Sequence, residues 1–346
     1  MNLVSIIGID LAKNLFQLHG AHEDGTVAFR TQLPRGKLLS FLKKQPPCLV
    51  AMEACGGSHH WGREIQKLGH QVRLVPPSYV KPYVKRQKND VADAEAIVEA
   101  VSRPTMRFVT VKTKEQQARG MLFRTRDILV RQRTQATNAL RGLLAEFGLV
   151  ASQGRASIRI LESVLQDPED PRLPDLARET ADLLLKQIRE FDARIGELDK
   201  KVQAAARTDE TVQRLRTIPG VGPIIGLAFV AFAPDMEDFR CGRDFASWLG
   251  LTPRQYSSGG KARIGKLSKM GQRDLRRLLI TGAMAVIQKH SRWGKEPDPW
   301  LKRLLERKPT IQAAIALANK MARTMWALLV KGEDYRCSPA NQAAAA

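Results

Sequence analysis

Short apolar runs alternate with turn residues over the first part of the chain. Three runs have the length of strands, at residues 3–10, 14–20 and 26–33. The turn Glu23-Asp24-Gly25 between the last two is a hairpin signal. Two helices and two more strands are predicted to follow in alternation, at 37–44 (helix), 48–53 (strand), 59–68 (helix) and 71–75 (strand). The first hundred residues are therefore predicted to form an α/β domain.

The pattern changes to a helical period further along the chain. Residues 115–148 contain no proline, and apolar residues within 176–206 recur at spacings of three and four. The segment Asp167-Pro168-Glu169-Asp170-Pro171 separates the two stretches. We predict a long helical hairpin or coiled-coil arm, with a plain helical bundle between two domains as the alternative. The predicted organisation is an α/β domain at 1–105, the helical arm at 106–210, a mainly α domain at 211–335 and a disordered tail at 336–346.

Three strands with a hairpin, followed by alternating helix and strand, have the order of a ribonuclease-H-like domain. Four acidic residues lie where the metal site of such a domain would need them. Asp10 and Glu53 end two predicted strands, and α/β sheets place their chemistry at strand ends. Asp90 and Asp93 are three residues apart at the start of a helical stretch, so they share one helix face.

Converging carboxylates repel one another unless a cation neutralises them, and hard oxygen ligands suit Mg²⁺ or Mn²⁺. Each acid taken alone also fits a purely structural role as a turn former or helix cap, and Asp90 fits that role well. The combination of two strand ends with one helix face is what indicates a metal centre.

The chain is strongly basic, with 56 Lys and Arg against 35 Asp and Glu and a formal net charge of +21. Such an excess predicts a polyanionic partner, and nucleic acid fits best with a metal site of this kind. Two basic segments are predicted to contact it, one before Asp90 and one near the C-terminus. Their members are Lys81, Lys85, Arg86, Lys88, Lys261, Lys266, Lys269, Arg276 and Arg277. A solvated basic surface is the alternative for both.

Two glycine-containing motifs add candidate chemistry. Ile218-Pro219-Gly220-Val221-Gly222 is similar to the hairpin of a helix-hairpin-helix module, in which Gly220 and Gly222 would let the backbone approach a phosphate. The stretch Tyr256-Ser257-Ser258-Gly259-Gly260 is predicted to form a mobile loop among cations that could activate a hydroxyl. On composition alone, a flexible linker is the stronger interpretation of that stretch.

Several classes of protein are disfavoured. No apolar run approaches the roughly 20 residues of a membrane span, and the N-terminal apolar run lacks the basic start of a signal peptide. The cysteines form no C-x-x-C pair and no histidine cluster complements them, so disulfides and zinc are not expected. We expect a cytoplasmic protein with reduced cysteines.

Taken together, the motifs resemble the DEDD transposases of insertion sequences, a family that includes the pilin-gene inverting recombinases. Within it the chain is most similar to the bridge-RNA-guided recombinases, over roughly residues 3–330. The matching stretches are Ile7-Gly8-Ile9-Asp10-Leu11-Ala12-Lys13, Met52-Glu53-Ala54-Cys55-Gly56-Gly57, Lys88-Asn89-Asp90-Val91-Ala92-Asp93-Ala94, Ile218-Pro219-Gly220-Val221-Gly222, Trp248-Leu249-Gly250-Leu251-Thr252-Pro253, Ser258-Gly259-Gly260, Leu267-Ser268-Lys269-Met270-Gly271 and Leu275-Arg276-Arg277-Leu278-Leu279.

The resemblance implies a RuvC-like N-terminal domain whose metal ligands are Asp10, Glu53, Asp90 and Asp93. It implies a C-terminal transposase domain in which Ser258 attacks DNA and becomes covalently linked to a strand end. Because Ser258 lies far from the acids in sequence, the two parts of the site would be assembled across domains, either within one chain or between subunits. It further implies that a guide (bridge) RNA pairs with donor and target DNA, and that the chain works as a homodimer or homotetramer.

Three other functions compete with this one. A junction endonuclease using a metal-activated water would need the acids but not Ser258. An actin-like kinase or ATPase also begins with a strand that ends in Asp, but it would need further glycine-rich phosphate loops in the second half of that domain, where the sequence has none. A non-catalytic RNA-binding protein would leave the four acids unexplained.

Overall fold

The structure is a computed structural model that describes residues 3–85, 89–152, 154, 156–293 and 298–336. Contacts divide the chain into two compact units, Met1–Gln117 and Ala118–Ala346. The predicted boundaries at residues 105 and 210 make a finer division than these two units. Within the part of the chain that the structure describes, no helix combines the length and the apolar character needed to cross a membrane.

The first unit is built on a five-stranded mixed sheet. Its strands are β1 (Ile6–Leu11), β2 (Leu15–Ala21), β3 (Val27–Pro34), β4 (Leu49–Glu53) and β5 (Gln71–Val75). Their order in the sheet is β3-β2-β1-β4-β5. The β1–β2 and β2–β3 pairs are antiparallel, whereas β4 runs parallel to β1 and β5 parallel to β4. The predicted α/β class of this part is confirmed, and the mixed sheet is consistent with a ribonuclease-H-like domain.

Helices cover both faces of this sheet. They are α1 (Leu38–Leu42), α2 (Ser58–Gln66), α3 (Pro77–Val80) and α4 (Asp90–Val101), with 3-10 turns at Arg35–Lys37 and Lys81–Tyr83. Ile7 and Ile9 of β1 pack in one core with residues of α1 and α2. A second core joins Ala51 and Val75 to α3 and α4. Because successive strand residues point to opposite faces, Gly8 and Asp10 lie on the α4 face.

The second unit contains a long antiparallel helical pair. The helices in this region are α5 (Lys114–Ala145), α6 (Ala156–Gln166) and α7 (Asp175–Thr208). Ion pairs join α5 to α7 at successive levels, namely Arg119–Asp209, Arg126–Asp199 and Arg133–Asp192. A core that includes Leu140, Leu161 and Leu185 joins all three helices. α5 and α7 each exceed 30 residues, and the predicted arm at 106–210 stays a prediction.

The remainder of the second unit is mainly helical. Its helices are α8 (Glu210–Arg216), α9 (Pro223–Phe232), α10 (Gly242–Trp248), α11 (Arg273–Trp293), α12 (Pro299–Arg307) and α13 (Thr310–Lys331). The apolar helix α9 lies within a core that α10, α11 and α13 complete. Two short strands, β6 (Pro253–Gln255) and β7 (Ile264–Leu267), form an antiparallel hairpin that the sequence did not predict.

Candidate metal centre and hairpin serine

The position of α4 depends on a glycine in β1. A Cβ built on Gly8 would lie 2.6 Å from the Ala94 carbonyl oxygen and 2.6 Å from Val98 Cγ2, which is closer than these atoms can approach. Only glycine therefore allows α4 to pack this closely against β1. Because Asp10 shares the face of Gly8, the first turn of α4 is brought towards Asp10.

The first turn of α4 is capped by Asn89. Its side-chain Oδ1 accepts a hydrogen bond from the Ala92 backbone N–H at 2.8 Å. The capping role proposed as the alternative for Asp90 is thus taken by its neighbour, and Asp90 is the first residue of the helix. Acidic side chains are favoured in the first turn, where the helix dipole is positive.

Three of the four predicted ligands converge. Carboxylate oxygens of Asp10, Asp90 and Asp93 all lie within 4.8 Å of one another. Asp10 and Asp93 are half-buried, and Asp90 is exposed. Two oxygens bound to one Mg²⁺ or Ca²⁺ ion are at most about 5 Å apart, since each metal–oxygen bond is about 2.0–2.6 Å. The donor set and its spacing fit a divalent cation, and these three residues would hold it.

Glu53 lies outside this group of three, at the end of the neighbouring strand. β1 and β4 pair Ile9 with Met52, so Asp10 and Glu53 each follow that pair by one residue. Adjacent strands are about 4.8 Å apart, which places the two residues side by side on the α4 face. Burial raises the pKa of the nearby Cys55 thiol, and the Glu53 and Asp10 carboxylates raise it further. Glu53 thus borders the cluster and stays a predicted fourth ligand.

The basic segment before α4 is only partly described. Lys81 and Lys85 are exposed, whereas Arg86 and Lys88 lie outside the described residues. The Lys85 ammonium forms an ion pair with Glu95 of α4. Arg30 of β3 binds the same carboxylate at 3.1 Å. The hydrogen bond from Lys85 lowers the pKa of Glu95, so Lys85 has a partner within the protein.

The glycine motif near residue 220 makes a close helix contact. A Cβ on Gly220 would lie 2.8 Å from the Gly282 carbonyl oxygen, and one on Gly282 would lie 2.4 Å from the Gly220 carbonyl oxygen. The loop before α9 therefore packs directly on α11 through two glycines. Gly222 is the N-cap of α9, and no atom lies within 4 Å of a Cβ built there. Of the two motif glycines, Gly220 and Gly222, only Gly222 has the open backbone that a phosphate contact would need.

The hairpin between β6 and β7 separates the two neighbouring serines. The Ser257 hydroxyl accepts hydrogen bonds from the Arg263 backbone N–H at 3.2 Å and from Gln255 Nε2 at 3.0 Å. Ser258 is exposed and opens the turn, whose two glycines both have positive φ, as hairpin turns of the primed types require. Within the described part of the chain, the Ser258 hydroxyl makes no side-chain hydrogen bond. Ser257 thus stabilises the hairpin, and Ser258 presents a free hydroxyl.

The cations around this hairpin fall into two groups. One group is exposed and includes Lys261, Arg263, Lys266 and Lys269. Arg276 is instead 9% exposed, and its Nη1 donates to the Leu249 carbonyl at 2.9 Å and the Met270 carbonyl at 3.3 Å. Burial lowers the pKa of Arg276, with a smaller contribution from Arg273. Arg276 therefore ties the end of α10 to the segment before α11.

Replacing Arg276 with Gln should lower the free energy of unfolding by about 1–3 kcal/mol, because two carbonyls lose their donor. Urea denaturation monitored by circular dichroism measures this free energy of unfolding. Arg277 is the matched control, since its guanidinium is half-exposed and pairs with Asp127 at 2.6 Å. Arg277→Gln should cost less than about 1 kcal/mol. Equal losses for the two variants would contradict a structural role for Arg276.

Two family models and several known proteins match the sequence of this chain. A family model described as "Transposase IS116/IS110/IS902 family" matches residues 212–297, and the model DEDD_Tnp_IS110, described as "Transposase", matches residues 7–148. A "Probable family 20 transposase" of Pseudomonas aeruginosa is 49% identical over 97% of this chain and 99% of its own length. The transposase for insertion sequence element IS1328 of Yersinia enterocolitica is 41% identical over 96% of this chain and 98% of its own. The transposase for insertion sequence element IS1111A of Coxiella burnetii is 39% identical over 97% of this chain and 93% of its own length.

Transposases are enzymes that cut DNA strands and transfer them to new sites. The chain belongs to the IS110/IS116 family of insertion-sequence transposases. The match over residues 7–148 contains all four acids, and the match over residues 212–297 contains Ser258.

Proposed function

We propose that the chain cleaves and rejoins DNA with divalent metal held by Asp10, Glu53, Asp90 and Asp93 and with the Ser258 hydroxyl as nucleophile. The observation that carries the metal part is the convergence of Asp10, Asp90 and Asp93 at the end of β1. Bound Mg²⁺ or Mn²⁺ would polarise the scissile phosphate and stabilise the leaving oxygen. In this proposal, the two acids of α4 and the two strand-end acids bind the metal at one edge of the sheet.

Ser258 supplies the covalent step in this proposal. Its Oγ forms a bond to phosphorus while the bond from phosphorus to the leaving strand oxygen breaks. The serine proton passes to solvent, and the departing strand end takes up a proton to become a hydroxyl. Since one phosphodiester replaces another, the reverse attack by a new strand end rejoins the DNA without ATP. The exposed, unbonded hydroxyl of Ser258 supports this role, whereas Ser257 is held by two hydrogen bonds.

Recognition of the DNA is proposed to rest on an RNA encoded by the element, which pairs with donor and target strands. The protein then needs contacts to backbones more than to bases. The net charge of +21 supports such contacts. Exchange of strands between two duplexes is expected to require a homodimer or homotetramer. Sedimentation of the chain with and without its RNA and DNA tests this part.

Binding of DNA should be strongly salt-dependent, because each phosphate contact releases counterions. Lys261→Gln and Lys266→Gln should each weaken binding and reduce the slope of log K against log salt by about 0.7–0.9. Both residues are exposed, Lys261 opposite Ser258 in the turn and Lys266 on β7 of the same hairpin. Fluorescence anisotropy with labelled DNA at several salt concentrations measures the slope.

The control for these two variants is Lys200→Gln, which removes the same charge from an exposed position on α7. Its slope should match that of the unmodified chain. If all three variants change the slope alike, the hairpin cations act only through net charge and the proposed contact surface is wrong.

A further inference from the structure

Two buried polar side chains lie on β2, on the sheet face that α4 covers. They belong to Gln17 and His19. Antiparallel pairing with β1 places Gln17 directly opposite Asp10, and His19 directly opposite Gly8. Opposite residues of an antiparallel pair point to the same face, with Cβ atoms about 4.5–5.5 Å apart. Since Gly8 and Asp10 lie on the α4 face, both polar side chains of β2 lie there as well.

Burial of a polar side chain costs free energy unless its groups find hydrogen-bond partners. His19 has such a partner, because Arg30 Nε donates to its Nδ1 at 3.5 Å. Gln17 is 7% exposed, and its amide has no hydrogen-bond partner among the residues that the structure describes. On the other face of β2, Phe16 and Leu18 fill the equivalent positions with apolar side chains. The amide at position 17 therefore points to a role other than packing.

The residues beside Gln17 in the sheet indicate what that role is. Gln32 of β3, Gln17 of β2 and Asp10 of β1 are in register across three strands. Glu53 of β4 lies on the other side of Asp10, so Gln17 and Glu53 flank it. The Asp10 carboxylate is one of the three that converge within 4.8 Å. The residue opposite the buried amide is thus a member of the acidic cluster.

We propose that Gln17 is a positioning residue of the metal centre. Its Nε2–H donates a hydrogen bond to the Asp10 carboxylate when a divalent cation is bound there. One oxygen of Asp10 then binds the cation, and the other accepts from Gln17. The glutamine side chain is long enough to bring its amide to this carboxylate across paired strands. The inference rests on the proposed function, since it assumes that the acids hold a cation.

A neutral amide suits this position better than a charged side chain. Its N–H groups orient a carboxylate without neutralising it, whereas Lys or Arg would pair with Asp10 and compete with the cation. Carboxylates that bind metal are themselves hydrogen-bonded, and loss of such a partner typically costs about 10–100-fold in metal affinity or activity. An Asp10 side chain held in one orientation also loses less freedom when the cation binds.

The test measures binding of Mn²⁺ to the full chain in the absence of nucleic acid. Electron paramagnetic resonance follows the free ion during a titration, and Asp10→Asn gives the level of binding outside the cluster. Gln17→Met keeps the length of the side chain but removes the amide. It should weaken Mn²⁺ binding by at least about tenfold. Equal affinity in Gln17→Met and the unmodified chain would overturn the proposal.

Gln32→Met is the matched control, because it removes the same amide from the next strand. Gln32 is in register with Gln17, but it is exposed and lies one strand further from Asp10. This variant should bind Mn²⁺ as the unmodified chain does. If Gln32→Met weakens binding as much as Gln17→Met, the effect belongs to the sheet as a whole and the specific role of Gln17 is wrong.

Thermal unfolding separates a positioning role from a packing role. Without metal, Gln17→Met should unfold at the same Tm as the unmodified chain or higher, because an apolar side chain replaces a buried amide that has no partner. The rise in Tm that Mn²⁺ produces should become smaller, because the folded form binds the ion more weakly. A lower Tm without metal, combined with an unchanged rise on adding Mn²⁺, would assign Gln17 to packing alone.

A direct contact between Gln17 and DNA gives a different result. In saturating Ca²⁺, which is used to measure binding without cleavage, Gln17→Met should bind labelled DNA as tightly as the unmodified chain. Weaker DNA binding with unchanged Mn²⁺ affinity would make Gln17 a phosphate contact and overturn its role through Asp10.

Failure of this inference and failure of the proposed function are distinguishable. If the unmodified chain binds Mn²⁺ and cleaves DNA, and Gln17→Met does both equally well, only the role of Gln17 is wrong. If the unmodified chain binds no more Mn²⁺ than Asp10→Asn does, the metal centre itself is wrong, and the role of Gln17 falls with it.

Discussion

Asp93→Asn and Asp10→Asn should each abolish DNA cleavage while leaving DNA binding within about twofold. The substitution removes one negative charge from a cluster whose oxygens lie within 4.8 Å, so a divalent cation loses a charged ligand. Metal ions contribute several kcal/mol to the stabilisation of transition-state charge, and each 1.36 kcal/mol is a factor of ten in rate. A loss of at least about 10³-fold follows. Strand cleavage of labelled DNA at saturating Mg²⁺ measures it.

The control for these variants is Glu99→Gln on the same helix. Glu99 lies six residues after Asp93 and pairs with Arg103 at 2.6 Å, away from the cluster. The Glu99→Gln variant should cleave DNA at the same rate as the unmodified chain. Glu53→Gln decides whether the fourth acid is a ligand, and we expect the same loss as for Asp10→Asn. Cleavage by Asp93→Asn at the rate of Glu99→Gln would exclude the proposed metal centre.

Ser258→Ala should eliminate a covalent protein–DNA adduct that the unmodified chain forms with Mg²⁺. The alanine has no oxygen with which to attack phosphorus, so no adduct can form through that position. Denaturing electrophoresis of the chain with labelled DNA, RNA from its element and Mg²⁺ shows the adduct as a shifted band. DNA that is cleaved without any adduct would instead support the endonuclease that uses a metal-activated water.

Ser257→Ala is the matched variant, because it removes the neighbouring hydroxyl from the same hairpin. The adduct should persist, although the hairpin loses two hydrogen bonds accepted by Ser257. Each such bond contributes about 1 kcal/mol, so a moderate fall in yield is compatible with the proposal. An adduct that survives Ser258→Ala but not Ser257→Ala would reverse the assignment of the nucleophile.

The sheet was predictable because its strands are short apolar runs between turn residues. The five predicted strands coincide closely with β1 to β5, for example 48–53 against Leu49–Glu53. β6 and β7 escaped prediction because they have three and four residues, nearly all exposed, so no burial pattern marks them. The long helices were predictable because apolar residues at a helical period recur over about 30 residues, which gives a strong sequence signal.

The site was predictable only in its ligands. Strand ends and helix spacing identified Asp10, Asp90 and Asp93, but the sequence contained no sign that Gly8 sets how closely α4 packs. The burial of Arg276 was not predictable, since Arg273 and Arg277 nearby in the sequence are exposed cations and only the structure shows Arg276 buried.

Two of the clustered acids belong to the first turn of α4, so a divalent cation held by the cluster would bind only when this turn is folded against β1. A group that binds only the folded form raises its stability by RT ln(1 + [L]/Kd), so the cation and the packing of α4 on Gly8 would stabilise each other. Helix ends fray more readily than helix centres. Divalent metal concentration would then control how often the end of α4 opens, and with it the fraction of chains competent to cut at any moment.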